Sequence, residues 1–540
     1  MTKLTGAPRQ GQQKDRGRGR AVAEEQYLMG VDFGTGGVRV GLFDAEGTPK
    51  VFHGVEWETA YPRSGWAEQD PDAWWQSFLQ AARRAVSDSG VPAESIVGIA
   101  TDATASTVLA VGDDDRHLRP AIMWMDVRAS DQAERIAATH DRALKYSGYG
   151  DVSAEWGLPK ALWIKEREPE VFERAKHLCD CNDWLVHRLT GEWASSINIA
   201  SAKFFYDRDE GGWPESLLRS LDFRDFLEKF PKDVLDLGAV VGGLRKSVAE
   251  EIGLKEGTPV AQGAIDAYAG ALGLGVVEPG TLGLITGSSH VMIGQSAHPI
   301  HGQGFWGSYT DAMIPGQYTV EAGQASTGSV VAWFKNNFAG EAAREAERRG
   351  CDTYDVLNEL AEKVPIGSDG LIFLDYFQGN RSPHTDPLVR GAVWGLSLGH
   401  GPGHIFRSII EGICFGTEEI FRAMRGHDFE PRLNVVSGGP TKSALWMQMH
   451  ADVSNLPIAL TKVSEGPVLG AAMLASVGAG VYKDVREAAQ NMVHTESTVE
   501  PDAEAHEKYR FYLDRYTETY PRMKDLMHRM SRHEAGAAQG

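Results

Sequence analysis

Apolar and polar positions change period repeatedly along the chain, and each change marks an element. Leu28 to Phe33 is an apolar run, Gly34 to Gly37 a glycine-rich bend, and Val38, Val40 and Leu42 then alternate with Arg39, Gly41 and Phe43. A period of two predicts a strand, so the stretch reads as a hairpin. Further on, Trp74, Phe78, Ala82 and Val86 fall four apart, with Trp75 and Leu79 beside them. That spacing predicts an amphipathic helix, with Asp70 placed to cap it and Pro71 at its first position. Ile96–Thr101 predicts a buried strand running into the small polar stretch Asp102–Ser106. Ala121–Arg128 predicts a strand ending in a charged pair, and residues 131–140 a helix. From 152 to 190 the pattern is helical, with tryptophans at 156, 163 and 184. Ser195–Phe205 is small and polar before it turns aromatic, and Lys203 sits there among apolar neighbours. Residues 240–258 read as a hairpin and short helix. Pro259–Ile265 is a strand that feeds a helix of small residues opening at Asp266.

The hairpin pattern returns at Gly280–Gly294: an apolar strand, the turn Thr286-Gly287-Ser288-Ser289, and a second strand. Two such hairpins so far apart predict two domains built on one plan. In the second half, Leu371–Phe377 predicts a strand. His404–Met424, Trp446–Ser454 and Val468–Gly480 predict helices, the last packed closely through Gly470, Ala471, Ala472 and Ala475. Asn434–Pro440 is a buried strand entering the glycine turn Gly438-Gly439. The last 40 residues are helical and charged.

Both hairpin bends have the makings of a phosphate site. Glycine lets successive backbone N–H groups converge on an anion. Asp32 stands at the mouth of the first bend, where a carboxylate could hold magnesium on the phosphates. The competing reading is an ordinary tight hairpin.

Composition narrows the classes. A chain of 540 residues with 42% hydrophobic and 24% charged residues can bury large cores as several domains or two large ones. A net charge of −20 argues against nucleic acid or an anionic membrane as partner. No apolar run reaches the ~18 residues of a membrane span. Four cysteines without zinc spacing are read as reduced thiols of a cytoplasmic protein. Residues 1–25, rich in Gly, Gln and Arg, are expected to form a disordered tail.

Eight motifs then stand in register: DFGTGGVR (32–39), GWAEQDPDAWW (65–75), WMDVRA (124–129), GAIDAYAG (263–270), TGSS (286–289), EAGQASTG (321–328), GNRSP (379–383) and SGGPTKSALWMQMHAD (437–452). Together they resemble the FGGY family of carbohydrate kinases over nearly all of residues 27–520. The resemblance implies an α/β fold of two actin-like (ribonuclease-H-like) domains, each a mixed five-stranded sheet flanked by helices, with the active site in the cleft between them. Residues 26–272 would bind the sugar and supply the catalytic base, and residues 273–525 would bind ATP, with a second tail at 526–540. Within the family the likeness is to the ribulokinases, carried by Ser153-Ala154-Glu155-Trp156, Pro159-Lys160, the Lys203 segment and Glu321-Ala322-Gly323-Gln324. Two positions depart from common family forms: Gly37 stands where a serine is frequent, and Val127 where pentulose kinases commonly have histidine.

The resemblance assigns roles by position. The resemblance makes Asp266 the general base; read alone, it would sooner cap the helix behind it. Asp32, with Gly34, Thr35, Gly36 and Arg39, resembles the first phosphate and Mg2+ site. Thr286, Gly287 and Ser288 resemble the second phosphate turn. Gly438 and Gly439 resemble the adenosine site, against the plainer reading of a strand-end turn. Lys203, Glu321, Ala103, Asp126 and Arg128 resemble sugar-binding positions. For Lys203 the alternative is a surface lysine, and for Asp126 and Arg128 a structural ion pair. The reaction implied is ATP-dependent phosphorylation of a terminal hydroxyl of a small ketose, ribulose first. Other readings are a kinase for xylulose, erythritol or ribitol, and an actin-like or chaperone-like ATPase outside metabolism. The partners implied are a small sugar and ATP, with room for a homodimer.

Overall fold

The computed structural model describes residues 25–150 and 152–537; the tail expected at 1–25 lies, but for its last residue, outside them. One sheet is built from β1 (Tyr27–Gly34), β2 (Gly37–Asp44), β3 (Pro49–Glu56), β4 (Ile96–Ala103), β5 (Val240–Gly243) and β6 (Pro259–Ile265), in the order β5-β6-β4-β1-β2-β3. A second is built from β7 (Thr281–Thr286), β8 (His290–Ser296), β9 (Trp306–Thr310), β10 (Tyr318–Gln324), β13 (Leu433–Gly438), β14 (Ile458–Thr461) and β15 (Thr495–Val499), in the order β9-β10-β8-β7-β13-β14-β15. Between these in sequence, β11 (Ile372–Leu374) and β12 (Ala392–Trp394) form a separate antiparallel pair.

The two large sheets share one core. In the first, β3, β2 and β1 are antiparallel, and β1, β4 and β6 parallel. In the second, β10, β8 and β7 are antiparallel, and β7, β13 and β14 parallel. The five-stranded mixed sheet expected of each domain is this shared core, extended by β5 in one and by β9 and β15 in the other.

The helices that matter to the site are α1 (Pro71–Asp88), α2 (Ile197–Phe204), α3 (Asp266–Gly273), α4 (Pro402–Arg425), α5 (Gly466–Gly478) and α6 (Ala503–Ala537). Asp70 caps α1 by accepting from the Asp72 N–H, and Pro71 is its first residue, as the spacing predicts. α5 comes from the second half yet lies on the first sheet. A Cβ on Gly30 of β1 would run into the Val468 carbonyl, and one on Gly470 into the Ala269 carbonyl of α3. Backbone against backbone is a packing that only a small-residue helix permits. Leu28, Ala100 and Ala261 of the first sheet therefore share a core with Val468, Leu469 and Ala472.

Several local expectations are corrected. The strand read at 121–128 ends at Ile122 and gives way to turns, because the ammonium of buried Lys160 draws the Met123 and Trp124 carbonyls inward, at 2.8 and 2.9 Å. The helical stretch at 152–190 is broken by the strand His177–Asp180, which pairs with Val108–Val111. Ser195–Phe205 is mostly helical, as α2. The tail placed at 526–540 is helix through Ala537: Ser531 donates to the Leu388 carbonyl at 2.6 Å and His528 meets Asp386 at 2.7 Å, holding the last turns on the domain.

Candidate active site

The C-terminal ends of β1, β4 and β6 carry three acids to one place. Parallel pairing sets Asp32 opposite Asp102, and pairs Ala264 with Asp102 and Ile265 with Ala103, so that Asp266 follows one residue beyond. Asp32 and Asp102 are buried; Asp266 is enclosed by protein yet keeps an open edge. Burial and the neighbouring Asp32 carboxylate push Asp266 up to about 7, opposed by the Ala267 N–H (2.6 Å from Oδ1) and by Lys203. Burial raises Asp32 as well, while the Arg39 guanidinium draws it down. Asp102 stands well above the usual carboxylate range through burial and the two other acids, and neither of its oxygens has a hydrogen-bond partner. Asp266 does not cap α3: the cap position is Ile265, and Asp266 is the first helical residue.

Lys203 and Glu321 meet across the halves of the molecule. Lys203 on α2 reaches Glu321 on β10 at 3.2 Å, and the Tyr268 hydroxyl donates to the same carboxylate at 3.0 Å. Lys203 is not a surface lysine: it is 8% exposed, with the Trp156 ring 5.8 Å from its ammonium. Strand alternation sorts the Glu321–Gln324 motif. Glu321 faces the site, while Gln324 turns into the domain to donate to Asp375 and to the Ile413 carbonyl, both at 3.0 Å. Asn198, also on α2, accepts from the Ile265 N–H at 2.9 Å and donates to the Ala312 carbonyl at 3.0 Å. It ties the strand end before Asp266 to the second half.

The first hairpin bend is fixed from behind. Trp124 donates to the Thr35 hydroxyl at 2.9 Å, while Gln69 and Trp57 donate to the Thr35 carbonyl at 2.8 and 3.1 Å. Gly34 and Gly36 stay accessible, and Arg39 spans from Asp32 at 3.3 Å to Glu465 at 3.7 Å. Gly37 has a packing reason: a Cβ there would lie 2.6 Å from the Val55 carbonyl of β3. In the second bend Thr286 pairs with Gly438 across β7 and β13, and its hydroxyl donates to the Ser437 carbonyl; Gly287 and Ser288 are exposed. Gly438 is required by the approach of the Thr286 backbone, at a φ of 101°, whereas Gly439 has open space above it.

Asp126, Arg128 and Ala103, expected at the sugar, all lie inside the protein. The Asp126 and Arg128 side chains are fully buried and 2.7 Å apart; Arg128 also reaches Glu68 at 2.8 Å and lies 3.7 Å over the Trp66 ring. With the Ala67 N–H donating to Asp126 at 2.6 Å, they are the structural ion pair of the alternative reading. Ala103 is likewise buried, at the end of β4 beside Asp102. Asp102, Tyr268 and Asn198 are the neighbours of Asp266 that the sequence reading missed. Only Asp102 left a signal, as an acid at the end of a buried strand.

The chain matches two family models: that of the N-terminal domain of the FGGY family of carbohydrate kinases over residues 27–273, and that of its C-terminal domain over residues 282–479. The chain belongs to the FGGY family of carbohydrate kinases. It is similar to an FGGY carbohydrate kinase domain-containing protein of Xenopus laevis, 34% identical over 91% of this chain and 95% of that one. It is also similar to a ribulokinase of Shouchella clausii, 31% identical over 94% and 96%. Among solved structures it resembles a xylulose kinase from Rhodospirillum rubrum, with a TM-score of 0.84 and 28% identity over 93% of this chain and 100% of that one. This FGGY chain is thus an ATP-dependent sugar kinase with the two-domain α/β fold of its relatives. Membership removes the reading as a non-metabolic ATPase. Among the described residues, no helix is long and apolar enough to cross a membrane.

Proposed function

We propose that this kinase transfers the terminal phosphoryl group of ATP to a terminal hydroxyl of a small ketose, ribulose first. The observation that carries the reading is Lys203, Glu321 and Tyr268 held together beside Asp266. Lys203 offers hydrogen-bond donors to a keto or hydroxyl oxygen, and Glu321 accepts from a sugar hydroxyl. Asp266, open at one edge, takes the proton of the attacking hydroxyl. Phosphoryl transfer asks the protein mainly for positioning and charge neutralisation. The N–H groups at Gly34–Gly36 and at Gly287–Ser288 serve that need from two sides, and the open face of Gly439 suits the adenosine. Asp32 and the partnerless oxygens of Asp102 form an all-oxygen donor set that fits a hard divalent cation. Bound there, magnesium supplies charge neutralisation at the phosphate oxygens. The division at residues 272/273, and a cytoplasmic setting in which Cys179, Cys181, Cys351 and Cys414 stay as free thiols, belong to the same proposal.

The test is ADP release across ketopentoses, tetroses and their polyols. Ribulose is expected to give the highest kcat/KM. A higher value for xylulose, whose kinases supply similar structures, or for erythritol or ribitol would move the substrate assignment there.

A further inference from the structure

The GNRSP motif (379–383) forms a loop at the edge of β10. β9 pairs with β10 only as far as Glu321. Beyond it, the Ser382 hydroxyl accepts from the Gly323 N–H at 3.4 Å. The loop is held at its base. Asn380 and Asp386 exchange backbone hydrogen bonds at 2.9 and 2.8 Å, and the Asn380 side chain accepts from the His384 N–H at 2.9 Å. Tyr520 and His528 of α6 hold the Asp386 carboxylate. From this frame Arg381 runs along β10: a Cβ on Gly323 would lie 3.6 Å from Arg381 Cδ. Side chains alternate along a strand, so Gly323 shares its face with Glu321. That face meets Lys203 of the first half.

Arg381 therefore stands between two parts of the site. Behind it on β10 is Glu321, with Lys203 and Tyr268. Ahead, the chain runs on to Thr327, whose N–H donates to the Ser288 carbonyl at 3.0 Å, and to Gly328, where a Cβ would lie 2.2 Å from the Gly287 carbonyl. The strand thus leads from the proposed sugar contacts to the second hairpin bend. Arg381 is half-buried, and its carbonyl accepts from the Thr385 hydroxyl at 3.3 Å. Among the described residues its guanidinium has no hydrogen bond and no ion pair. The other basic groups named at the site are paired, Lys203 with Glu321 and Arg39 with Asp32 and Glu465. Asp32, Asp102, Asp266 and Glu321 make the site acidic, and a polyphosphate adds negative charge. An unpaired guanidinium answers that charge, because its planar fork meets phosphate oxygens with two parallel N–H donors.

We propose that Arg381 is a catalytic residue that holds the phosphoryl group as it passes from ATP to the sugar. In that step the bond from the terminal phosphorus to the bridging oxygen breaks, and its electron pair leaves with ADP. A bond forms from the sugar hydroxyl oxygen to phosphorus, and the hydroxyl proton goes to Asp266. Arg381 itself forms no covalent bond; it faces the phosphoryl oxygens, over which the charge is spread. The inference rests on the proposed reading that Glu321 and Asp266 attend the sugar.

Steady-state ADP release by the parent chain, Arg381→Ala and Arg381→Lys tests it, with and without millimolar guanidinium. Arg381→Ala should lose roughly 10²–10³-fold in kcat, with the KM for ATP and for sugar little changed. Arg381→Lys, a cation without the fork, should lose less. Guanidinium should restore part of the activity of Arg381→Ala and none to the parent, a readout that a structural role would not move. If Arg381→Ala does not fold, the fall in kcat of Arg381→Lys at unchanged KM carries the test. A kcat close to the parent's in either variant would overturn the proposal. So would a raised sugar KM at unchanged kcat, which would make Arg381 a sugar contact, or a folded Arg381→Ala that guanidinium does not revive. Loss of sugar dependence in the parent chain counts instead against the proposed function, which keeps the two failures apart.

Discussion

The base role proposed for Asp266 rests on its surroundings. An aspartate in water is ionised well below neutrality; this one is pushed up to about 7 by burial and by Asp32. As the base it must be unprotonated, so kcat/KM is expected to fall below pH 7, by about tenfold per unit, and to level off above it. A pH profile of the free enzyme that stays flat from pH 5 to 8 would remove Asp266 from that role. In the proposed reading Lys203 serves the sugar, through its pairing with Glu321. Lys203→Met should raise the sugar KM roughly 10-fold or more and leave the ATP KM unchanged. Asn198 spends both ends of its amide on backbone groups and so positions the strand end before Asp266. Asn198→Ala should lower kcat, while Asn198→Asp, which keeps the acceptor for the Ile265 N–H, should lower it less; equal losses would speak against the positioning role.

At the scale of elements, what was legible in the sequence was local. The hairpin over residues 27–44 and the cap and apolar face of α1 are written in neighbouring residues, because period and capping act within a few positions. The polar motif Gly65–Trp75 was also visible, but not its use. Gln69 holds Thr35 from behind and accepts from Trp74 at 2.8 Å, a contact between separate elements. The same limit explains the misreading of 121–128. Met123, Trp124 and Met125 look like strand, yet Lys160 gathers the carbonyls of Ser106, Met123, Trp124 and Glu155 at 2.8–3.0 Å. Burial pulls that lysine down to about 7, and Asp126 opposes the pull. Lys160→Met should leave buried carbonyls unpaired and cost about 3 kcal/mol, read as a fall in the denaturant midpoint, with sugar binding lost before nucleotide binding.

For the whole molecule, the repeat of the hairpin at 280–294 was the signal that foretold two sheets on one plan. Which residues bridge them was not legible, since Arg39 and Glu465 lie far apart in the sequence, and Lys203 and Glu321 are separated by 118 positions. Asp126 and Arg128, matched by motif to the sugar site, prove to be internal. α5 locks the halves together through backbone contact at Gly470. Gly470→Val should drive a side chain into Ala269 and lower the melting temperature. The central claim joins these scales: two halves deliver ATP and a sugar to one carboxylate. The most direct test is ADP release by the parent chain and by Asp266→Asn, with and without ribulose, alongside ATP binding by calorimetry. The account predicts release that depends on sugar, a loss of roughly 10²–10⁴-fold in the variant, and ATP binding largely intact. ATP hydrolysis indifferent to every sugar, or a fully active Asp266→Asn enzyme, would contradict it.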